Sequence, residues 1–193
     1  GPKNRQHLDR AMKDLAFHLT DIVENSIRAG AGEIGIRLRC VGREFRMRID
    51  DNGCGMDAET LERAVNPFFT TRTTRKMGLG LPFLFQNAEQ CGGSAGVRSR
   101  PGRGTVVEAR FPLDHIDCPP AGDLAGTLMQ LIVGNPGVNI RIRLDCGRRS
   151  AGLATREIAD ALEGLPLGHP RVALHIRELL ASLLEEVFRG RLI

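Results

Sequence analysis

Four short segments that combine glycine with a carboxylate, a carboxamide or a cationic side chain follow one another along the first half of this chain. They are residues 21–30 (Asp-Ile-Val-Glu-Asn-Ser-Ile-Arg-Ala-Gly), 50–56 (Asp-Asp-Asn-Gly-Cys-Gly-Met), 76–81 (Lys-Met-Gly-Leu-Gly-Leu) and 102–106 (Gly-Arg-Gly-Thr-Val). Any one of these patterns can occur by chance. Their order, with helix and strand patterns between them, favours a fold that gathers all four at one site.

The first segment offers an oxygen ligand for a metal ion. Asn25 lies in a helical run from about residue 8 to residue 29, one turn after Asp21, so both side chains project from one helix face. A carboxamide oxygen can join the coordination shell of Mg²⁺, which prefers oxygen ligands. Asp21 could orient or deprotonate a nucleophile beside that metal. The alternative is two exposed polar residues on an amphipathic helix.

The second segment follows a predicted strand, because apolar and charged residues alternate up to Asp51. A carboxylate at a strand end can accept a hydrogen bond from the exocyclic amine of adenine. Gly53 and Gly55 would let the backbone pass close to a purine where a side chain would collide, and Met56 ends the segment. The alternative is a tight turn with an acidic corner.

The third and fourth segments predict contacts with a triphosphate and with the purine. Gly78 and Gly80 lead into a helix start, where free N–H groups and the helix dipole favour an anion. The polar and cationic residues 70–76 before them resemble a lid, with Arg75 or Lys76 as a charge partner, although a solvated loop is the alternative. Thr105 could reach the adenine pocket through its hydroxyl. These patterns predict nucleotide contacts from Asn25, Asp51, Gly53, Gly55, Lys76, Gly78, Gly80 and Thr105.

The order of the four segments resembles the Bergerat-fold (GHKL) ATPases, which include gyrase, Hsp90, histidine kinases and mismatch-repair ATPases. The resemblance covers about residues 8–112 and implies an α/β fold, a two-layer sandwich in which helices cover one face of a mixed sheet. It implies ATP and Mg²⁺ as cofactors, with Asn25 as the metal ligand, Asp51 as the adenine reader and the glycines as phosphate and purine contacts. The resemblance also adds Met56, Leu79, Leu81 and Gly104 to the implied nucleotide contacts.

Two branches of this family are suggested by different segments. Val23-Glu-Asn-Ser-Ile and Ala29-Gly-Ala31 look like the mismatch-repair ATPases, whereas residues 66–71 (Asn-Pro-Phe-Phe-Thr-Thr) are similar to the histidine-kinase catalytic domain and add Phe69 to the implied contacts. The chain departs from the family pattern at two positions. Asp21 stands where many relatives have glutamate, and Met77 stands where a further glycine is common.

Three classes of function remain open. The first is a kinase that passes the γ-phosphoryl group to a partner protein, with Asp21 as a possible general base. The second is an ATP-hydrolysing conformational switch, and the third is a regulatory ATP-binding module without turnover. Too few residues precede Asn25 for the dimerisation hairpin of a conventional histidine kinase, and His18 is predicted to be a packed or hydrogen-bonded residue. The phosphoacceptor or regulated partner is not identifiable, and a homodimer is possible.

The composition limits the kinds of partner and the cellular compartment that we expect for this chain. The net charge of +4 is modest, tryptophan and tyrosine are absent, and no dense basic run occurs, so nucleic acid is not favoured as a partner. No apolar stretch is long enough to span a membrane. The five cysteines are odd in number and lack close paired spacing, which favours a reducing compartment, the cytoplasm.

The composition changes after residue 112, which predicts two domains, an ATPase domain over 1–112 and a small C-terminal unit over 113–193. A proline-containing linker is followed by helix, strand and two helices, at about 121–133, 140–144, 155–163 and 170–189. This α-β-α-α unit, regulatory or partner-binding, either packs on the ATPase sheet or stands alone. The apolar stripe of the last helix is expected to be buried within the chain, with dimer formation as the alternative. Its predicted members are Val172, Ile176, Leu179, Leu183 and Val187.

Overall fold

A computed structural model describes residues 14–66 and 80–191 of the 193-residue chain. Helices and strands alternate irregularly along these residues. In chain order they are α1 (Leu15–Arg28), β1 (Glu33–Val41), β2 (Glu44–Asp51), α2 (Ala58–Val65), α3 (Gly80–Gln90), β3 (Ser94–Arg100), β4 (Gly104–Pro112), α4 (Leu124–Gly134), β5 (Asn139–Cys146), β6 (Arg149–Ala154), α5 (Thr155–Ala161) and α6 (Pro170–Phe188).

The strands form one six-stranded mixed sheet in the order β3-β4-β2-β1-β5-β6. β1 and β5 run parallel, and the other four neighbouring pairs run antiparallel. Apolar residues alternate with charged ones along the central strands, so that one face of the sheet is buried against the helices. The predicted α/β fold with helices over one face of a mixed sheet is confirmed.

Helix α1 carries the first predicted segment and is fixed at its beginning and along its buried face. Asp14 caps the helix, because its Oδ1 accepts a hydrogen bond of 2.7 Å from the backbone N–H of Phe17. Leu15, Leu19 and Ile22 form a buried stripe at helical spacing against the sheet. The helix begins at Leu15 and does not run on from about residue 8 as predicted, because the backbone of Asp14 is extended, with φ −91° and ψ 163°. Residues 1–13 lie outside the described residues.

The strands after residue 112 extend the same sheet. β5 pairs with β1 over eight residues, from Glu33 opposite Asn139 to Cys40 opposite Cys146. The predicted division at 112/113 stays a prediction, but the C-terminal unit shares a sheet and a hydrophobic core with the preceding residues. β6 was not predicted from the sequence. Its residues Arg-Ser-Ala-Gly-Leu-Ala contain no β-branched or aromatic side chain, so they give no strand signal.

Helix α6 buries its apolar stripe within the chain, as expected. Val172, Ile176 and Val187 are buried, and the ring of Phe188 meets the ring of Phe45 edge to face at 6.4 Å. The stripe differs from the predicted one at one position, because Leu180 is buried while Leu179 is 37% exposed. Among the described residues, no helix has the length and apolar character needed to cross a membrane.

Candidate functional site

A cavity of about 280 Å³ opens between α1, the residues after β2, α2, the beginning of α3 and β4. It brings together six of the predicted site residues, from segments that lie far apart in the sequence. They are Asn25, Asp51, Gly55, Met56, Leu81 and Thr105. The apolar side chains of Ile22, Ala64 and Val107, which were not predicted, complete much of the wall.

The carboxylate of Asp51 is held by three hydrogen-bond donors. Its Oδ1 accepts hydrogen bonds from the backbone N–H groups of Gly53, at 2.9 Å, and Thr105, at 3.2 Å. Its Oδ2 accepts a hydrogen bond of 2.6 Å from the hydroxyl of Ser26, which is buried. These contacts fix the orientation of the carboxylate at the cavity wall. Ser26 was not singled out from the sequence, although it directly follows Asn25 on α1.

The glycines near Asp51 are required by close backbone approach. Gly55 has a φ of +69°, and a Cβ there would lie 2.0 Å from the carbonyl oxygen of Arg100. Gly104 has a φ of +81°, and a Cβ there would lie 1.9 Å from the carbonyl oxygen of Asp51. Gly55 lines the cavity, whereas Gly53 and Gly104 are not among its lining residues. All three glycines were predicted to contact the ligand, whereas their close approach to neighbouring backbone was not predicted.

Ser99 holds the Thr105 hydroxyl and the loop after β2 together. Its hydroxyl accepts a hydrogen bond of 2.8 Å from the backbone N–H of Met56 and lies 2.9 Å from Thr105 Oγ1. It also lies 3.0 Å from the carbonyl oxygen of Gly104, to which it can donate. Ser99 lies on β3, outside all four predicted segments, so no sequence signal indicated this contact.

Asn25, the predicted metal ligand, lines the cavity next to an arginine. Its Oδ1 accepts a hydrogen bond from Arg28, and a second guanidinium nitrogen of Arg28 lies 3.8 Å from the carboxylate of Glu24. Arg28 also lines the cavity and was not predicted. A cation therefore already lies against the oxygen that is predicted to bind Mg²⁺.

Asp21, the possible general base, lies beside the first residue of α3. A Cβ at Gly80 would come within 2.7 Å of Asp21 Cβ and Oδ2, so only glycine allows this approach. Burial raises the pKa of Asp21, the nearby charge of Glu24 raises it further, and Arg28 lowers it. Asp21 does not line the described cavity. Phe69, Lys76, Gly78 and Leu79, with the predicted lid at 70–76, lie outside the described residues.

His18 is buried two turns before Asn25, which confirms its predicted packing role. Its Nε2 lies 2.8 Å from the amide nitrogen of Asn87, a distance that fits an N–H donor on Asn87. Among the described residues, its Nδ1 has no hydrogen-bond partner. Burial lowers the pKa of His18 from 6.5 to about 4, so the ring is neutral at physiological pH.

We expect His18 to make the fold sensitive to acid. Below pH 6.5 the unfolded chain binds a proton at this ring, while the folded protein resists protonation until about pH 4. Stability therefore falls as pH decreases through this window, by roughly 3 kcal/mol in total. Urea unfolding at several pH values would measure this slope in the wild type and in His18→Gln. An equal slope in the two proteins would contradict the expectation.

Comparisons with known proteins agree with this arrangement. Residues 12–115 match the family described as "Histidine kinase-, DNA gyrase B-, and HSP90-like ATPase". The chain is 42% identical over 102 residues to the sensor protein kinase FleS of Pseudomonas aeruginosa, a match that covers 51% of this chain and 25% of that protein. It is 30% identical over 165 residues to the sensor protein TorS of Escherichia coli, covering 80% of this chain and 18% of TorS.

A solved structure is similar to this chain over most of its fold. The crystal structure of the N-terminal domain of a DNA repair protein matches with a TM-score of 0.56 and 16% sequence identity. The match covers 79% of this chain and 58% of that one, and it shows a shared fold alone. The chain spans a quarter or less of the length of FleS and TorS.

Proposed function

Because the chain belongs to the family of histidine kinase-, DNA gyrase B- and HSP90-like ATPases, we propose that it binds Mg-ATP in the described cavity and passes the γ-phosphoryl group to a partner protein. The observation that carries this proposal is the fixed carboxylate of Asp51 at the cavity wall. The proposed location is the cytoplasm, and homodimer formation remains a further proposal.

Asp51 is suited to read adenine. Its three donors all come from the protein, and a carboxylate can accept further hydrogen bonds at its remaining lone pairs. The exocyclic amine of adenine would donate to it, while Ile22 and Val107 offer apolar contact to the purine ring. The cavity volume of about 280 Å³ is slightly below the range of roughly 300–1,000 Å³ for ligand sites.

Asn25 is suited to hold the metal ion. It contributes a carboxamide oxygen at the cavity, the ligand type that Mg²⁺ prefers, and the ion would neutralise charge on the phosphates. Because Arg28 now donates to that oxygen, Arg28 must release Asn25 or share it when the metal binds. Released from Asn25, the guanidinium of Arg28 would be available to a phosphate oxygen in the same cavity.

Asp21 is proposed as the base or positioning residue for the group that attacks the γ-phosphate. It lies on α1 one turn before Asn25, and its raised pKa makes it a better proton acceptor than an ordinary aspartate. Gly78, Leu79 and Gly80, together with Lys76, are proposed phosphate contacts, and Phe69 completes the proposed nucleotide site. The relative FleS is a sensor protein kinase, which favours phosphoryl transfer to a protein over simple hydrolysis.

The experiment that tests this function follows the label of γ-labelled ATP. The protein is incubated with labelled ATP and a cell lysate, and label on protein is compared with released phosphate. Transfer to a protein supports the kinase, and free phosphate alone supports a hydrolysing switch. If neither is produced although ATP binds, the proposed turnover is wrong.

Substitution of Asp21 is expected to separate binding from turnover. Asp21→Asn should bind ATP as the wild type does and lose label transfer by about 100-fold or more, since general-base contributions are typically 10²–10⁴-fold. Glu24→Gln is the matched control, because Glu24 is an exposed carboxylate one turn away on the same helix. Equal turnover in Asp21→Asn and the wild type would eliminate this role.

The pH profile gives a second readout for Asp21. If turnover needs the ionised carboxylate of Asp21, the rate falls as pH decreases through the pKa of this group. That pKa is raised above the usual value for aspartate. Glu24→Gln removes a negative charge that raises this pKa, so the acid limb of its profile should move to lower pH. An unmoved acid limb would mean that a group other than Asp21 controls turnover.

A further inference from the structure

The face of the sheet that points away from the helices is dominated by arginine. Along β1, β2 and β5, buried apolar residues alternate with half-buried or exposed charged ones. The outward positions of five strands, which we call the arginine face, carry nine arginines and five carboxylates. They are Arg37, Arg39, Arg46, Arg48, Arg98, Arg100, Arg110, Arg141 and Arg143, with Glu33, Glu44, Asp50, Glu108 and Asp145. The excess of four positive charges equals the net charge of the whole chain.

Strand register places several of these arginines directly beside one another. In one row, Arg37 on β1 lies opposite Arg48 on β2 and beside Arg143 on β5. In a second row, Arg46 on β2 lies opposite Arg39 on β1 and opposite Arg110 on β4. Like charges at directly opposed positions destabilise a sheet, so this arrangement costs the free protein stability.

Carboxylates on the same face offset only part of this repulsion. Arg37 meets Asp145 at 2.9 Å, and Arg48 meets Glu108 at 2.6 Å. Within residues 14–66 and 80–191, three arginines of this face, Arg39, Arg100 and Arg110, have no carboxylate partner, and Arg39 Nε is buried without a hydrogen-bond acceptor. A buried donor without an acceptor is unfavourable, which adds to the cost of the unneutralised charge of Arg39.

We propose that the arginine face binds an acidic surface of another protein, whose carboxylates pair with Arg39 and Arg110. Guanidinium groups suit this role because they bind carboxylates through two parallel hydrogen bonds. Five strands of seven to nine residues cover on the order of 500 Å² at ordinary strand spacings. That area approaches the ~800 Å² which each partner contributes to a standard protein interface.

Neither a second copy nor the rest of this chain has the required charge. Two copies joined through this face would oppose the same positive excess, which is repulsive. Residues 1–13 carry four Lys or Arg and one Asp, and residues 67–79 carry three Lys or Arg and no acid. The occupant must therefore be a different, acidic protein or domain.

Nucleic acid is a poorer match than protein. Five carboxylates are interspersed among the arginines and would repel a phosphate backbone, whereas a protein surface can present complementary charges of both signs. Phe45 and Phe111 on the central strands are buried on the opposite face of the sheet, where bases could not stack on them. Lysine is absent from the arginine face, and protein interfaces are enriched in arginine and depleted in lysine.

Charge reversal on the full chain tests this proposal. Arg39→Glu/Arg110→Glu removes two of the three arginines of the face that lack a carboxylate partner, and Arg148→Glu/Arg171→Glu is the matched control at exposed positions outside the face. Poly-L-glutamate and a short DNA duplex serve as probes in titrations at several salt concentrations. We expect the face variant to lose about ten-fold or more of the poly-glutamate affinity, and the control to lose much less.

Three results would overturn the proposal. They are equal poly-glutamate affinity in the face variant and the wild type, an equal loss in the control, and tighter face-dependent binding of DNA than of poly-glutamate. Thermal unfolding should show no loss of stability in the face variant, since the substitutions remove like-charge contacts. If the double reversal fails to fold, Arg39→Gln/Arg110→Gln makes the same test. Titration of each variant with ATP tests the proposed function, whereas titration with poly-glutamate tests the arginine face. Failure of one proposal can therefore be distinguished from failure of the other.

Discussion

Replacing Asp51 by asparagine is expected to reduce the affinity for ATP by at least about 100-fold, or roughly 2.7 kcal/mol. The carboxylate accepts from the hydroxyl of Ser26 and from the N–H groups of Gly53 and Thr105. An asparagine NH₂ group cannot accept. In either orientation of the amide, its NH₂ group faces another hydrogen-bond donor, which is either a donor of the protein or the exocyclic amine of adenine. The site therefore loses the charged acceptor for the exocyclic amine of adenine, and this loss weakens the binding of ATP.

The neighbouring residue provides a matched control. Asp50 precedes Asp51 on β2, so its side chain points to the opposite face of the sheet, where it lies 3.4 Å from the guanidinium of Arg48. Asp50→Asn therefore makes the same chemical change away from the cavity and should leave ATP affinity unchanged. Calorimetric titration with ATP and GTP would measure both variants, and unfolding curves would show that each is folded. Wild-type affinity in Asp51→Asn would refute the assignment of Asp51 as the adenine reader.

The central strands and the helix of the first segment could be predicted from local patterns. Apolar and charged residues alternate through Phe45, Met47 and Ile49, and the structure buries these three against the helices. Polar and apolar residues recur at helical spacing around Asn25, so α1 was predictable as a helix. These signals succeed because one face of each element is buried and the other is exposed, which the sequence records directly.

Contacts between distant segments could be predicted only in part. The resemblance predicted that Asn25, Asp51 and Thr105 share a site, and all three line one cavity. It did not predict Ser26 or Ser99, since a single serine hydroxyl carries no positional pattern. Register also has no local signal: the pairing of Arg46 with Arg39 and Arg110 follows from strand order, which hydrophobic alternation does not determine.

In the C-terminal half, too, contacts between distant residues determine features that the sequence alone does not predict. Strand β6 is an edge strand of small residues that gains its hydrogen bonds from β5, so pairing rather than side-chain preference determines it. In α6, the choice of Leu180 over Leu179 as the buried residue depends on how the helix packs against α4 and the sheet. Two adjacent leucines fit the same periodic pattern, so the sequence alone does not choose between them.

Gly104→Ala is expected to destabilise the protein by about 3 kcal/mol or more and to impair ATP binding. Gly104 has a φ of +81°, and an alanine Cβ would lie 1.9 Å from the carbonyl oxygen of Asp51 and 2.9 Å from Asn52 Cα. Both contacts are with backbone, which cannot move aside as the end of a flexible side chain can. β4 would have to separate from the end of β2, which carries the Asp51 carboxylate and accepts the Thr105 N–H bond.

Gly102→Ala is the control that distinguishes the steric collision expected in Gly104→Ala from the cost of a positive φ alone. Gly102 has a φ of +68°, but a Cβ there would meet no atom within 4 Å. Its substitution should therefore cost only the left-handed conformation, about 1 kcal/mol, and should leave ATP affinity close to that of the wild type. Urea unfolding and ATP titration of both variants would measure the difference. If the two substitutions cost the same free energy of unfolding, the close approach of Gly104 to Asp51 is not what requires glycine there, and the proposed coupling between this turn and the adenine-reading carboxylate fails.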